Sequence, residues 1–283
     1  MQGRSSAAGP IATLPVMAIL LAGFVAPLLY VAALSLMPPR TFTLDGAPTL
    51  ANYATAIQDG YVLPLLWSLG FALLTTILTL LISWPIAKAV VRRPGAFATT
   101  VAILIALPIF ISESVRLFGA SLFMMPRGGI LAGSVQALTG FQIGSVLYTK
   151  TATLIGLVYI HLPFTLFPMI LGLALAPKEQ LDAAFDLGAS PWQTFREVEL
   201  PIALPGVLIG ALLTFVLAFG ANSEAAILGG QSVVVIAKAI EQRFTYAQDW
   251  PLGSSLTVAV AAITALAVFP AMRRLDLNRF LKR

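Results

Sequence analysis

Residues Leu181 to Pro201 read LDAAFDLGASPWQTFREVELP, a polar, helix-forming stretch set between two long apolar runs. A chain built only to fill a bilayer has no need of such a segment. Lys178 to Leu187 is rich in helix formers, and Gly188 supplies a residue that tolerates positive φ where the helix must stop. A second start follows at once. Ser190 suits an N-cap, Pro191 the first helical position, and Gln193, three residues after Ser190, completes a capping-box pattern. The spacing therefore predicts two short helices joined at a tight Gly188-Ala189 corner, after which Pro201 and Pro205 return the chain to the membrane. Ala183, Ala184 and Gly188 share one helical side and form a small-residue surface that another protein can approach closely.

Working outward, 58% of the 283 residues are hydrophobic and only 10% are charged, which excludes a soluble globular protein and points to a multi-span membrane chain. A spanning helix needs about 20 apolar residues, because the hydrocarbon layer is roughly 30 Å thick and each helical residue rises about 1.5 Å. Six segments meet this condition: Ile11 to Leu36, Pro64 to Val91, Thr99 to Phe123, Thr151 to Leu175, Ile202 to Ala226 and Leu252 to Met272. The first is too long for the apolar core of a cleavable signal peptide and is read as a span. The chain is expected to be one transmembrane domain over residues 1–283, with the polar loop at 177–201 and no soluble domain.

The basic residues give the orientation. With six spans both termini share a side, and that side holds Arg4, Lys88, Arg92, Arg93, Lys178, Arg196, Arg273, Arg274, Arg279, Lys282 and Arg283, eleven of the seventeen. Arg40, Arg116, Arg127, Lys150, Lys238 and Arg243 fall on the other. Under the positive-inside rule the termini and the 177–201 loop are cytoplasmic. Basic residues that flank spans in this way are topology signals rather than a nucleic-acid patch, and the basic tail from Arg273 reads as an orientation anchor. Outside, Met37 to Leu63 is a turn-rich loop with a short helix around Ala51 to Gln58. Pro126 to Lys150 is a Gly-rich loop with one interfacial piece, and Gly229 to Pro251 carries a short amphipathic helix. The pairs Gly129/Gly133 and Gly140/Gly144 have close-packing spacing or serve loop flexibility. Pro15, Pro27, Pro85, Pro108, Pro163, Pro168 and Pro205 interrupt the spans, each removing a backbone donor.

The loop has a further regularity: Asp182-Ala183-Ala184, three residues, Gly188, nine residues, Val198, one residue, Leu200-Pro201. This resembles the EAA loop of ABC importer permeases, with Asp182 in place of Glu and Val198 in place of Ile and the spacing intact. The runs LPIFISESVRLFG from Leu107, GLVYIHLPF from Gly156 and DWPLG from Asp249 are similar to regions of the permeases of spermidine/putrescine importers, and the similarity extends from about Tyr53 onward. The resemblance implies an all-α membrane protein of the type I ABC importer (MetI-like) kind, with six transmembrane helices and a cytoplasmic coupling-helix loop. It implies that Asp182, Ala183, Ala184, Gly188, Ala189, Ser190, Thr194 and Phe195 meet a cytoplasmic ABC ATPase dimer. It also implies a pore completed by a second, homologous permease subunit, a periplasmic solute-binding protein that delivers the cargo, and a place in the bacterial inner membrane. The alternative to docking is a loop that packs on itself.

Energy and cargo are separate questions. The chain has no GxxxxGK[ST] run, so ATP and Mg are expected on the partner ATPase and no cofactor on this chain. With no HExxH or GxSxG sequence, no cysteine and a single histidine, the chain shows no catalytic set and no thiolate or multi-histidine metal site. It reads as a transporter subunit and not an enzyme. Ionisable residues inside spans cost about 2.5–3.5 kcal/mol, so each needs a partner or a wet cavity. Glu113 and Arg116, three apart, can pair along one helix face, or Glu113 can face the pore and attract an ammonium group. Glu224, in GANSEAAILGG, lacks a local basic partner and is the preferred carboxylate of the path; contact with the binding protein is its rival role. Polyamine permeases carry an acidic residue at the corresponding place. Phe110, Tyr159, Trp67 and Trp250 offer cation–π faces or simple packing, Asp249 stands beside Trp250, and His161 either lines the path or is a hydrogen-bonded core histidine.

The expectation is thus the pore subunit of an ATP-driven importer for a polyamine or related organic cation, working by alternating access. Permeases for opines, iron(III), thiamine or phosphonates, and an ion-coupled secondary transporter using Glu113 or Glu224, are the rivals.

Overall fold

The computed structural model describes residues 15–125, 129–140, 144–176 and 178–274. Arg4, the Ile11 start of the first expected span, Arg127, Pro177 and the tail beyond Arg274, with Arg279, Lys282 and Arg283, lie outside the described residues. The regular elements among the described residues are all helical. They are α1 (Pro15–Leu34), α2 (Ala51–Gln58), α3 (Val62–Arg92), α4 (Ala96–Phe110), α5 (Glu113–Met124), α6 (Ile130–Thr139), α7 (Lys150–Ala174), α8 (Lys178–Asp186), α9 (Pro191–Phe219), α10 (Ile236–Thr245) and α11 (Trp250–Arg274).

Five of these, α1, α3, α7, α9 and α11, are long and apolar enough to cross a membrane, and the bent pair α4 and α5 makes the number six if the two together count as one span. The span expected over Thr99 to Phe123 is not one continuous helix: α4 and α5 meet at 105°. Pro108 removes a backbone donor, the last turn of α4 tightens into a 3₁₀ turn over Leu107–Phe110, and Ile111 goes extended at φ −98°, ψ 136°. A new helix then starts at Glu113.

The fifth span is corrected at both ends. It starts at Pro191, so α9 runs unbroken through Pro201, and it stops at Phe219 rather than Ala226; a separate π-turn covers Ala225–Gly229. Pro201 is absorbed by a π-turn over Phe195–Glu199, where the Leu200 N–H bonds to the Phe195 carbonyl five residues back. A wider turn just before a proline relieves the carbonyl that its ring would crowd. The same device precedes Pro27, where a π-turn covers Leu21–Val25.

Two compact units are distinguishable, residues 1–62 with 239–263 and residues 63–238 with 264–283. In the first, the buried Asn52 side chain donates to the carbonyls of Ser35 (3.0 Å) and Met37 (2.7 Å), which follow the end of α1. Arg243 pairs with Asp59 at 3.5 Å and bonds the Tyr61 hydroxyl. These contacts fix the short helix α2, which forms where the turn-rich loop was expected to hold one.

In the second unit α7 packs on α9 through small residues. A Cβ on Gly172 would lie 2.8 Å from the Ala203 carbonyl oxygen and 2.9 Å from Gly206 Cα, and one on Gly210 would lie 2.8 Å from the Thr165 carbonyl oxygen. Backbones can touch this closely only where side chains are missing, the arrangement that substitutes for hydrophobic drive inside lipid. Gly133, Gly140 and Gly144 have open space around them, and Gly129 is close only to the Met125 backbone four residues before it, so neither marked pair packs against a facing helix. Below the glycines, Thr165 Oγ1 donates to Thr79 Oγ1 (2.9 Å) and lies 2.5 Å from Thr214 Oγ1, tying α3, α7 and α9 together with three fully buried hydroxyls.

Candidate functional site

The polar loop folds as its residues dictate. Helix α8 ends in a pair of reverse bonds, Gly188 N–H to the Phe185 carbonyl (2.9 Å) and Ala189 N–H to the Ala184 carbonyl (3.0 Å), with Gly188 at φ 84°. Ser190 then caps α9: its Oγ accepts from Gln193 N–H at 3.3 Å, and Gln193 Oε1 accepts from Ser190 N–H at 2.8 Å. The result is a hard corner that projects Leu187, 89% exposed, and Trp192, 66% exposed. Asp182, Ala183, Gly188 and Ser190 are exposed, and Ala184 and Ala189 are half-buried. Thr194 and Phe195 turn the other way. Thr194 is buried and donates to the Ser190 carbonyl (3.1 Å), while Phe195 stacks on Trp192 and meets the edge of Trp84 on α3 at 5.0 Å.

A second polar constellation forms where three elements of the same unit converge. His161 of α7 donates Nδ1–H to the Leu157 carbonyl (2.8 Å), and its Nδ1 stands 3.8 Å from Glu224 Oε1, just before the Ala225–Gly229 π-turn. Both side chains are buried. Glu113 and Arg116 stand in the first turn of α5, which packs against both α7 and the Ala225–Gly229 π-turn. The break between α4 and α5 is what delivers them, since it turns the start of α5 by 105°. Leu117, Ala152, Ile160 and Leu228 form an apolar core cluster on the same elements.

Glu113 and Arg116 do not form the ion pair expected from their spacing. Among the described residues no contact within ion-pair distance joins them, and Arg116 Nε and Nη1 are buried with no hydrogen-bond partner. Phe110, 89% exposed, and Tyr159, half as exposed, stand outside the buried cluster. Trp67 already has a cation on its ring, the Lys150 ammonium at 3.8 Å from the centroid. In the other unit Asp249 accepts from the N–H groups of Arg40 (3.2 Å) and Leu252 (3.4 Å), clamping an outer loop and capping α11. Trp250 there packs edge-on against Phe42 and Phe244. Among the described residues no group of three or more His, Asp or Glu side chains is placed to hold a metal ion.

Residues 92–277 match the family described as binding-protein-dependent transport system inner membrane component. The chain belongs to this family. The permease is 30% identical over 244 residues, 83% of its own length and 81% of the relative's, to the spermidine/putrescine transport system permease protein PotB of Haemophilus influenzae. Its fold is that of a bacterial alginate ABC transporter chain, solved in complex with an alginate pentasaccharide-bound periplasmic protein (TM-score 0.76, 14% identity, covering 96% of this chain and 94% of that one). It also matches the MetNI methionine ABC transporter (TM-score 0.54, 21% identity, covering 78% of this chain and 96% of that one). It is therefore a multi-pass inner-membrane permease subunit of an ABC importer, a transport component and not itself an enzyme.

One feature of the permease escaped the sequence reading. Glu199, in the π-turn of α9 and 3% exposed, lies 2.5 Å from Lys88 Nζ and 3.7 Å from Arg92 Nη2, both on α3. Lys88 and Arg92 had been counted only as topology signals. The available hint was Lys88 itself, a cation inside an apolar run with no acidic residue near it in sequence.

Proposed function

We propose that the permease imports a polyamine or a closely related organic cation, with Glu224 as the principal carboxylate of the path and Glu113, Arg116 and His161 around it. The observation that carries this reading is the burial of Glu224 beside His161, at the meeting point of residues from α5, α7 and the end of the fifth span. With both carboxylates ionised, Glu113 and Glu224 outweigh Arg116 by one negative charge, which suits an ammonium group and disfavours an anion. The likeness to PotB, named for spermidine and putrescine, supports the same class. Tyr159 and Phe110 serve as exposed aromatic approaches to the cluster, Trp67 holds Lys150, and Asp249 and Trp250 serve the structure of their own unit.

ATP and Mg act on a partner ATPase dimer that docks at the Gly188-Ala189 corner. The exposed Leu187 and Trp192 fill its apolar groove, and the small face of Ala183, Ala184 and Gly188 lets it close in. The termini and this corner face the cytoplasm, a solute-binding protein delivers cargo from the periplasm, and a homologous permease completes the pore. The test is uptake of radiolabelled spermidine by the purified complex in proteoliposomes: the wild type accumulates spermidine, Glu224→Gln reduces its apparent affinity, and competition by putrescine but not by an opine or a phosphonate defines the class. Equal competition by an anion would reject the cationic assignment.

A further inference from the structure

The ion pair between Lys88 and Glu199 lies outside the path and outside the docking corner, and nothing in the transport of a cation calls for it. Taking a carboxylate out of water is costly unless cations replace the water, and here two do. Each carboxylate oxygen has its own partner, Oε2 facing Lys88 and Oε1 facing Arg92. The two cations are four residues apart on α3 and so share one face. One turn before Lys88 on that same face stands Trp84, which meets Phe195, and Phe195 lies four residues before Glu199 on α9. The contacts therefore form a register of two rungs, Trp84 with Phe195 and Lys88 with Glu199, between the cytoplasmic part of α3 and the first turns of α9. The second rung sits on the π-turn Phe195–Glu199, the place where α9 departs from regular helix. Such turns are a weak point in a helix and recur where a protein moves.

We infer that Glu199 is a positioning residue that locks α3 to the base of α9, so that a displacement of the Gly188-Ala189 corner carries both membrane helices together. Covalent continuity alone passes the motion from the corner to α9. Without the lock, the π-turn would flex and α3 would be left behind. The aromatic chain Trp192, Phe195, Trp84 leads from the exposed corner into α3 and gives the lock its packing; the ion pair gives it a fixed register, since a one-turn slide of α3 that set Trp84 opposite Glu199 would strand a buried carboxylate, and the opposite slide would leave it one cation instead of two.

This inference rests on the docking role proposed for the corner. The chain has no cysteine, so spin labels can be placed at Arg93→Cys and Arg196→Cys, both exposed, the first directly after the end of α3 and the second on α9. The distance between them is measured in the permease purified with its ATPase, without nucleotide and with ATP and vanadate. A single narrow distance common to both states is expected, and Glu199→Gln is expected to broaden or shift it when ATP and vanadate are added. A distance that changes with nucleotide in the otherwise native chain, or one that stays narrow and fixed in Glu199→Gln, overturns the lock. If Glu199→Gln does not assemble, the native-background measurement decides by itself, and the charge exchange Lys88→Glu with Glu199→Lys must restore the narrow distance. Failure of the ATPase to co-purify with the native chain counts against the docking corner instead.

Discussion

Nδ1 of His161 stands 3.8 Å from Oε1 of Glu224, although one residue belongs to the fourth span and the other follows the fifth. The separation exceeds hydrogen-bond length, and the Nδ1 proton is directed to the Leu157 carbonyl instead. Glu224 is thus held near a polar ring without being spent on it, which leaves it free for the role proposed above, accepting a hydrogen bond from an ammonium group.

From this geometry, Glu224→Gln keeps the shape and loses the charge. A hydrogen bond to a charged group contributes about 1.5–3 kcal/mol, so the concentration of spermidine giving half-maximal uptake should rise by roughly tenfold or more. Glu113→Gln, at an exposed position, should produce a smaller rise. Initial-rate uptake across a range of spermidine concentrations measures both, and wild-type affinity in both variants would remove the carboxylates from the path.

At the corner, Gly188 at φ 84° has open space around it, so the penalty for a side chain there is conformational and not steric crowding. A non-glycine residue in this region costs about 1–2 kcal/mol, and asparagine bears it better than a β-branched residue. Gly188→Val should weaken ATPase co-purification and uptake while leaving the amount of inserted permease unchanged; Gly188→Asn should retain most of both. Equal behaviour of the two variants would show that the left-handed corner is not what the partner reads.

The loop was legible in sequence because its information is local. A glycine stop, a serine cap and a glutamine three residues on specify a corner whatever surrounds it, and the capping box forms as the spacing predicts. The short outer helices at Ala51–Gln58 and Ile236–Thr245 were legible for the same reason. Non-local partners were not. Glu199 meets Lys88 across 111 positions of sequence, and no pattern within either segment names the other. The break at Ile111-Ser112 was hidden because a proline inside an apolar run can kink a helix or end it, and composition does not distinguish the two. The close packing of Gly206 and Gly210 is written as a GxxxG run in the fifth span, but glycine pairs in a loop share that spacing without a facing helix, so spacing alone does not tell the two apart.

That packing yields a stability prediction. A leucine at Gly172 must displace the backbone of Ala203 and Gly206, which is less yielding than a side chain. Overpacking of this kind costs typically about 1–3 kcal/mol, so Gly172→Leu should lower the thermal unfolding midpoint of the detergent-solubilised permease. Gly133→Leu, in open space, should leave it unchanged. Fluorescence-detected unfolding of the two variants compares them directly.

In the function proposed, ATP energy reaches this permease through its polar corner and is spent on a cation. Proteoliposomes containing the permease with its co-purified ATPase, its second permease and its receptor test this most directly, with spermidine accumulation followed as ATP and receptor are supplied to either face. Accumulation that requires ATP on the side of the Gly188-Ala189 corner and receptor on the opposite side is the predicted result. Spermidine accumulation driven by a proton or sodium gradient with no ATP and no bound ATPase would contradict it.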